Sequence, residues 1–346
     1  MSWLTAAVKS GAALLLLPAA LLTSIRAGYR PEPVEPVEPF GPEGAPPIPV
    51  GEAFTVLCWN LQFAGSRKHH FFYDGGPAVH VPPADVEETV RGITALLSEQ
   101  APDIALLQEI DRDADRTGRR DQLRRYRDSG RGLKWASTPY HRAAYVPHPT
   151  HEPMGRVDLH LGMLSRRGLL DVQRIALPLL DEPRIRQAFN LKRALMTAVV
   201  PIEGGGTLRV ANTHLSAFSR GDGTLARQVA VLKAWMESQP PDQPWLLAGD
   251  FNLLPPGDTP ARLSTESDLY ADDTNPIGAL LPAFREAFGD QLAEGARTYQ
   301  PFGASGPDRK IDYVFYGGPL EVISAEVLRS DLSDHLPLSV TLRLTD

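Results

Sequence analysis

The clearest chemical signal in the sequence is a carboxylate and an amide at the end of an apolar stretch. Residues 245–252 read Trp-Leu-Leu-Ala-Gly-Asp-Phe-Asn, so Asp250 and Asn252 follow a run of residues that are usually buried. Residues two apart on an extended chain point to the same face, and two polar groups side by side there indicate a binding site. The alternative is a strand end followed by an Asx-type turn, which Gly249 and Asn252 also suit.

Other predicted strands end on polar residues in the same way. These residues are Asn60, Glu109, His214, Asp312, Asp334 and His335. Each has an ordinary alternative when taken alone, such as a turn cap, a solvated strand end, a buried core histidine or a surface ion pair. Because a polar residue recurs at the end of one strand after another, a single shared site is favoured over unrelated polar residues.

These residue types are chemically compatible with one another. Carboxylate and amide oxygens without cysteine suit a hard cation such as Mg²⁺ or Mn²⁺. Two histidines supply proton transfer near neutral pH. The sequence contains no serine-nucleophile motif, P-loop or Rossmann glycine fingerprint. The set therefore predicts metal-assisted attack of water on a phosphoester.

Length and composition limit the number of domains and the class of protein. The chain has 346 residues, of which 42% are hydrophobic and 22% charged, as in a soluble globular protein of one large or two ordinary domains. The net charge of -7 does not favour bulk nucleic-acid binding, although a local basic cleft is compatible with it. Cys58 is the single cysteine, which excludes an internal disulfide and a Cys/His zinc site and leaves the redox compartment open.

The N-terminal fifty residues differ from the rest. Residues 11–25 are apolar and uncharged, which is short for a membrane span but suits a signal sequence, so residues 1–30 are expected to be a membrane anchor or uncleaved signal. The alternative is an amphipathic helix. Residues 31–50 contain eight prolines and four glutamates, which predicts an extended linker with neither helix nor sheet. Residues 51–346 would then form one tethered domain.

Hydrophobic patterning predicts the elements of that domain. The predicted strands cover residues 55–63, 103–110, 160–166, 194–200, 208–215, 245–250, 311–316 and 338–344. Helices are expected at 84–98, at 225–236 and, in a short form, near 283–288, with long loops at 64–83, 139–158 and 253–280 shaping a cleft. Mixed hairpin and crossover connections indicate an α/β or α+β sandwich.

Residues 112–142 carry ten Arg or Lys among four Asp and are expected to form a helix or loop. This positive stretch is either a solvated face or a rim that attracts phosphate.

Seven motifs occur in the order typical of one superfamily. They are Trp59-Asn60, Leu107-Gln108-Glu109, Leu164-Ser165-Arg166, Asn212-Thr213-His214-Leu215, Gly249-Asp250-Phe251-Asn252, Ile311-Asp312-Tyr313 and Ser333-Asp334-His335. Over about residues 54–344 the chain resembles the endonuclease/exonuclease/phosphatase superfamily. The resemblance implies the deoxyribonuclease-I-like fold, in which two packed mixed β-sheets are flanked by helices.

The resemblance also implies roles for the candidate residues. Glu109 would be the main Mg²⁺ (or Mn²⁺) ligand, with Asn60 and Asp334 near the metal. Arg166 and Arg193 match less specific positions and would be phosphate contacts or structural residues.

The catalytic roles that it implies concern five residues. Asp250 would activate or position the attacking water, and Asn252 would hold a phosphate oxygen. His335, oriented by Asp312, would contact the scissile phosphate, and His214 would donate to phosphate or to the leaving oxygen. Whether Asp250 or His335 is the general base stays open.

The expected function is a magnesium-dependent phosphodiester hydrolase close to a membrane. The alternative is a secreted or surface nuclease acting on DNA or RNA, and a third reading is a catalytically inactive binding module, which the complete set of polar positions disfavours. The expected partners are a phosphoester, from a lipid headgroup or nucleic acid, and the membrane itself through the N-terminal segment. The catalytic domain is expected to be monomeric, anchored or secreted, and extracytoplasmic.

Overall fold

The computed structural model describes most of the chain beyond the N-terminal segment. The described residues are 28–217, 221–263, 265–270, 275–289 and 296–345. The apolar stretch at 11–25, on which the anchor prediction rests, therefore lies outside the described residues. In the described part of the chain, no helix is both long and apolar enough to cross a membrane.

Two mixed sheets make up the centre of the structure. In spatial order, the seven-stranded sheet consists of β1 (Val34–Pro36), β6 (Leu170–Ala176), β7 (Ala194–Pro201), β8 (Thr207–His214), β9 (Trp245–Asp250), β11 (Asp312–Gly317) and β10 (Arg285–Glu286). The six-stranded sheet consists of β12 (Leu320–Val327), β13 (Leu338–Leu344), β2 (Ala53–Asn60), β3 (Ile104–Asp111), β5 (Gly155–Ser165) and β4 (Lys134–Val146). Only β2–β3 and β8–β9 pair in parallel among these strands.

Four α-helices of the described residues accompany the two sheets. They are α1 (Pro83–Gln100), α2 (Gln122–Tyr126), α3 (Arg184–Phe189) and α4 (Thr224–Glu237). The buried residues of α1 recur every three or four positions, at Val86, Val90, Ile93 and Leu97, which gives the apolar stripe that packs against a sheet. A second apolar cluster lies under α4, where Leu232 packs with residues of the seven-stranded sheet. The predicted sandwich of two sheets flanked by helices is confirmed.

The main core lies between the sheets and includes one polar bridge. The side chain of Gln108 donates to Asn212 Oδ1 at 2.6 Å, joining β3 of one sheet to β8 of the other. Asn212 Nδ2 in turn donates to the carbonyl oxygens of Leu107 and Gly162 at 3.0 and 2.9 Å. Because buried polar groups without partners are costly, this satisfied network fixes how the two sheets are aligned.

The prediction that residues 31–50 form a linker without sheet structure is wrong. Val34–Pro36 pairs with β6 as an edge strand, where proline is tolerated because one side of the strand needs no partner. Phe40 stacks on Trp135 with ring centroids 4.6 Å apart, and Ile48 is fully buried in the main core. The contacts come from residues far away in the sequence, so the proline-rich composition alone does not reveal them.

Other sequence predictions also fail locally. Residues 283–288 form the short strand β10 and a turn instead of a helix. The stretch 112–133 is helix and loop as predicted, but the strand β4 (Lys134–Val146) replaces the end of that stretch and the first part of the loop predicted at 139–158. Its buried positions include the small or polar residues Ala136, Thr138 and His141, so the strand lacks the apolar alternation by which strands are recognised in a sequence.

Candidate active site

The site lies where the two pairs of parallel strands end. Asn60 is the last residue of β2, and His214 and Asp250 are the last residues of β8 and β9. Asp312 begins the antiparallel strand β11 directly opposite Asp250. Because parallel strands bring their carboxyl ends to one edge, side chains that are far apart in sequence meet at this rim of the sandwich.

A β-bulge places Glu109 at the same rim. The pairing of β3 with β5 shifts between Leu107 and Ile110, and Glu109 between them has a φ of 56°. A bulge of this kind re-aims a side chain that regular alternation would direct elsewhere. The side chain of Glu109 is 20% exposed, toward the cleft, whereas its neighbours on the strand are buried.

The chain turns sharply after β9. A Cβ atom on Gly249 would collide with the carbonyl oxygen of Thr213, so the close approach of β8 requires glycine. Asn252 has a φ of 52°, and its N–H donates to Asp250 Oδ1 at 3.0 Å. The side-chain amide of Asn252 donates to the carbonyl oxygen of Leu215 at 3.1 Å. The Asx-type turn is therefore real, and the turn itself brings Asn252 to the cleft.

Asp250 is the centre of the site. Its Oδ2 atom accepts from Asn60 Nδ2 at 2.9 Å and lies 3.2 Å from His214 Nε2 and 3.6 Å from His335 Nε2. Burial raises the pKa of Asp250 to about 7; His335 opposes this rise and Asp312 adds to it. A carboxylate with a pKa near neutrality suits the exchange of a proton with water.

His335 is paired with Asp312, as predicted. Its Nδ1 lies 2.9 and 3.1 Å from the two carboxylate oxygens of Asp312. The indole of Trp59 donates to the backbone oxygen of His335 at 2.9 Å and fixes its position. Burial alone would lower the pKa of His335, but Asp312 and Asp250 outweigh it and hold the pKa well above its usual value. The imidazole is thus charged and can donate to an anion.

His214 has the opposite character. Burial, together with the positive charges of Arg193 and His335, holds the pKa of His214 well below its usual value, so the ring is neutral. The hydroxyl of Tyr140 lies 3.2 Å from His214 Nδ1 and Asp250 lies on the Nε2 side. We therefore assign the tautomer that carries its proton on Nε2 and accepts at Nδ1 from Tyr140. The sequence gives no signal for Tyr140, which falls in a stretch assigned to a loop.

The acidic residues fit a divalent cation. Asn60 Nδ2 also donates to Glu109 Oε1 at 3.3 Å, while Asn60 Oδ1 accepts from the N–H of Gln62 at 3.0 Å, so the amide here orients the carboxylate. Burial raises the pKa of Asp334 to about 7, opposed by His335 and reinforced by the charge of Glu109. The site thus holds more negative charge than its own histidines neutralise. A cation with oxygen ligands would compensate that charge.

A second grouping could also coordinate metal. Asp250, Asp312 and His335 offer ligand atoms that all lie within 4.8 Å of one another. The contact of His335 Nδ1 with Asp312 is, however, that of a hydrogen-bonded pair, which needs its proton. That grouping is thus held together by a hydrogen bond, and a cation beside Glu109 stays a prediction.

The site opens into a cleft of about 720 Å³. Its walls include the aromatic side chains Phe63, Phe72, Tyr73, Phe189, Tyr270 and Tyr299. Asp74 and Glu266 add two carboxyl groups from the loops 64–83 and 253–280, so both loops shape the cleft as predicted. Burial raises the pKa of Asp74 to about 9, with Asp334 and Glu266 adding to the rise.

All eight predicted site residues come together. Six line the cleft directly, and these are Glu109, His214, Asp250, Asn252, Asp334 and His335. Asn60 and Asp312 stand behind them and bond to Asp250 and His335. Arg193 also lines the cleft, whereas Arg166 lies away from it beside Ser129 and Leu133.

Comparisons with known proteins agree with this geometry. A search of curated proteins finds no match. Among solved structures, the chain is similar to an endonuclease/exonuclease/phosphatase from Beutenbergia cavernae DSM 12333, with a TM-score of 0.58 and 22% identity over 85% of this chain and 72% of that one. It is also similar to a D. rerio TDP2 humanized by 14 mutations, with a TM-score of 0.55 and 15% identity over 84% and 99% of the two chains. The human nocturnin catalytic domain gives a TM-score of 0.53 and 20% identity over 89% and 97%.

These likenesses establish the fold, and the family follows from the sequence itself. A model of the Endonuclease/Exonuclease/phosphatase family matches residues 57–335, which span every candidate site residue and well over half of the chain. The protein therefore belongs to the Endonuclease/Exonuclease/phosphatase family.

Proposed function

We propose that this protein is a phosphodiester hydrolase that depends on Mg²⁺ or Mn²⁺ and works close to a membrane. The observation that carries the proposal is the position of Asp250. Its carboxylate lies within 3.6 Å of an amide and of two histidines of opposite protonation state, next to an acidic pocket. This arrangement can position a water molecule, take its proton and stabilise a phosphate anion.

Each residue then has a defined task. Glu109, with Asn60 and Asp334 beside it, would hold the cation, whose chemistry is to neutralise charge on the phosphate oxygens. Asp250 orients the attacking water and accepts its proton. This assignment of the general base is supported by His335, which is already charged and has its Nδ1 committed to Asp312.

The remaining polar residues act on the phosphate. His335 donates from Nε2 to a phosphate oxygen, and Asn252 holds a second oxygen from its turn. His214 is neutral and keeps its Nε2 proton beside Asp250, which allows it to donate as negative charge develops on the reacting oxygens.

Ion pairs compensate much of the positive charge of the basic stretch at 112–142, which supports a substrate other than a long nucleic acid. Six of its arginines are ion-paired, as Arg112 with Asp121, Arg116 with Asp111, Arg119 with Asp115, Arg120 and Arg125 with Glu87, and Arg142 with Asp158. Nucleic-acid binding depends on cations that neutralise many phosphates in a row. An acidic, aromatic cleft suits a compact phosphodiester with one phosphate and an apolar or sugar group.

The membrane part of the proposal is supported by the sequence and by the corrected role of residues 31–50. The apolar stretch at 11–25 is the proposed anchor. Because the following segment packs along the domain from Tyr29 onward, it adds little distance between that anchor and the catalytic body. A lipid headgroup is therefore the proposed substrate, and an extracytoplasmic, anchored or secreted domain is the proposed location.

A substrate panel tests the proposal. The full chain would be offered bis-p-nitrophenyl phosphate, phosphatidylcholine vesicles, sphingomyelin vesicles, plasmid DNA and RNA, each with Mg²⁺ and with chelator, beside Asp250→Asn as the inactive control. We expect Mg²⁺-dependent cleavage of the nitrophenyl ester and release of a lipid headgroup. Rapid cleavage of DNA or RNA without headgroup release would reject the lipid substrate in favour of a nuclease.

A further inference from the structure

A second cavity of about 490 Å³ lies on the other side of α3. It is bounded by residues 28–31 of the N-terminal segment, by β6 and by α3, and it shares Arg193 with the catalytic cleft. Its lining contains the basic side chains Arg30, Arg174, Arg184, Lys192 and Arg193. Among the described residues, no carboxylate side chain lines it. The cavity is thus strongly positive.

Arg174 is the central element of this cavity. It is fully buried, and its guanidinium donates to two carbonyl oxygens, to Lys192 O from Nη2 at 2.7 Å and to Pro139 O from Nε at 3.3 Å. Its Nη1 has no hydrogen-bond partner within the described ranges. The ring of Tyr29, with its centroid 5.7 Å away, and the charge of Glu35 compensate the guanidinium only in part, because burial still lowers its pKa. An anion at the free Nη1 would relieve that cost.

The neighbouring cations are also under-compensated. Arg193 is 7% exposed, and its Nη1 has no hydrogen-bond partner in the part of the chain that the structure describes. The carboxylates of Glu109 and Asp250 on the cleft side compensate its charge only in part.

Lys192 donates to the carbonyl oxygens of Gln187 and Asn190 rather than to an acid. Burial lowers the pKa of Lys192 to about 8, and Glu182 opposes this shift without lining the cavity. Three buried cations therefore surround one compact space.

We propose that this cavity is a second, non-catalytic site that binds a phosphate group. Arginine presents a planar set of donors that matches phosphate oxygens, and several such donors converge here. The cavity differs from the catalytic cleft because neither carboxylate nor histidine side chains of the described residues line it. It can hold an anion and supplies no group for hydrolysis.

The phosphate has two conceivable sources with the same chemistry. A soluble phosphomonoester would enter from solvent. A lipid headgroup would enter from a bilayer, and the wall formed by residues 28–31 begins three residues beyond the apolar stretch at 11–25. The experiment must therefore separate the free phosphate from the lipid.

Calorimetric titration with inorganic phosphate in chelator tests the site directly. Arg184→Ala removes an exposed cation of the lining and should weaken phosphate binding about tenfold, which is typical of one lost charge-assisted hydrogen bond. Arg174→Met should abolish the binding, with circular dichroism and thermal unfolding used to check that the variant is folded. Arg209→Ala, an exposed arginine on β8, is the matched control and should bind as the unchanged chain does.

A cleft variant separates this site from the catalytic one. His335→Ala should leave the calorimetric phosphate affinity unchanged. The proposal is overturned if His335→Ala abolishes the binding while Arg184→Ala and Arg174→Met retain it. Flotation with phosphatidylcholine vesicles, with and without phosphatidic acid, then assigns the source. Recruitment that increases with phosphatidic acid, and whose increase is lost in Arg184→Ala, supports a lipid phosphate. Binding of phosphate without an increase caused by phosphatidic acid supports a soluble one.

Discussion

The catalytic cleft and the basic cavity are neighbours that share Arg193 and lie on opposite sides of α3, yet they carry opposite charge. Burial acts on both in the same way, because it disfavours the charged form of any side chain. In the cleft it raises the pKa values of Asp250 and Asp334 to about 7, and in the cavity it lowers that of Lys192 to about 8. The comparison indicates that each space requires a counter-charge, a cation in one and an anion in the other.

The largest expected effect is that of Asp250→Asn, which should strongly slow hydrolysis in the catalytic cleft without changing phosphate binding in the basic cavity. Asp250→Asn keeps the shape of the cleft but removes the proton acceptor, so the hydrolysis rate should fall by roughly 10²- to 10⁴-fold. Phosphate binding in the basic cavity should not change. Rates on bis-p-nitrophenyl phosphate and calorimetry on the same preparation check both statements. Full activity of this variant would show that the proposed base is wrong.

A smaller effect concerns the pairing of Asp312 with His335 in the cleft. If Asp312 orients His335, the two residues act as a unit and their losses are not additive. The rate should therefore be nearly the same for His335→Ala and for the double variant with Asp312→Asn. Steady-state rates for both single variants and the double variant give the answer. Losses that add on a logarithmic scale would contradict the pairing seen at 2.9 Å.

The N-terminal segment should matter to the basic cavity and to stability rather than to the chemistry. A chain beginning at residue 51 loses the buried side chain of Ile48, the Phe40–Trp135 stack and the wall at residues 28–31. We expect its free energy of unfolding to fall by about 2–5 kcal/mol, as for removal of a large core side chain. A chain beginning at residue 28 is the control. Denaturant unfolding of both measures the difference, and superimposable curves would contradict the packing of this segment.

The smallest effect concerns His141, which is hydrogen-bonded to the end of α3. This helix lies between the catalytic cleft and the basic cavity. His141 Nε2 donates to the carbonyl oxygen of Phe189 at 2.8 Å. Burial, helped by Arg116 and other nearby cations, lowers the pKa of His141 to about 3. The unfolded chain therefore binds a proton that the folded chain does not, between the unfolded value of about 6.5 and pH 3. The contribution of His141 is complete above pH 6.5 and is lost as the pH falls through that window.

Denaturant titrations at several pH values check this sign. His141→Gln, which can keep a donor to Phe189 O, should show a shallower loss of stability between pH 6.5 and 4 than the unchanged chain. Equal slopes for the two proteins would mean that other groups, such as His160, whose pKa burial also lowers, account for the pH dependence.

The sequence was informative where the signal is local. Apolar runs that end in Asn60, His214 or Asp250 identify strand ends, and the fold brings those ends together. No signal in the sequence marks the features that depend on contacts between residues far apart in the chain. The bulge that re-aims Glu109 needs a partner strand, and the contact of Tyr140 with His214 joins positions 74 residues apart.

The same reason explains the errors. Edge pairing of Val34–Pro36 with β6 is not encoded in a proline-rich composition, because it depends on a strand more than a hundred residues away. The basic cavity was not foreseen at all. Its cations, such as Arg174 and Lys192, are spaced irregularly in the sequence and become a cluster only when β6, α3 and the N-terminal segment are assembled.

Dependence on a divalent cation is the most direct test of the central claim, that the acidic cleft hydrolyses a phosphoester with a bound metal ion. Hydrolysis of bis-p-nitrophenyl phosphate would be followed in chelator, after addition of Mg²⁺ or Mn²⁺, and across a metal titration for Glu109→Gln. We expect no activity in chelator, recovery with either ion, and a shift of the Glu109→Gln titration to higher metal concentration. Full activity in chelator, or an unchanged titration for Glu109→Gln, would contradict the account.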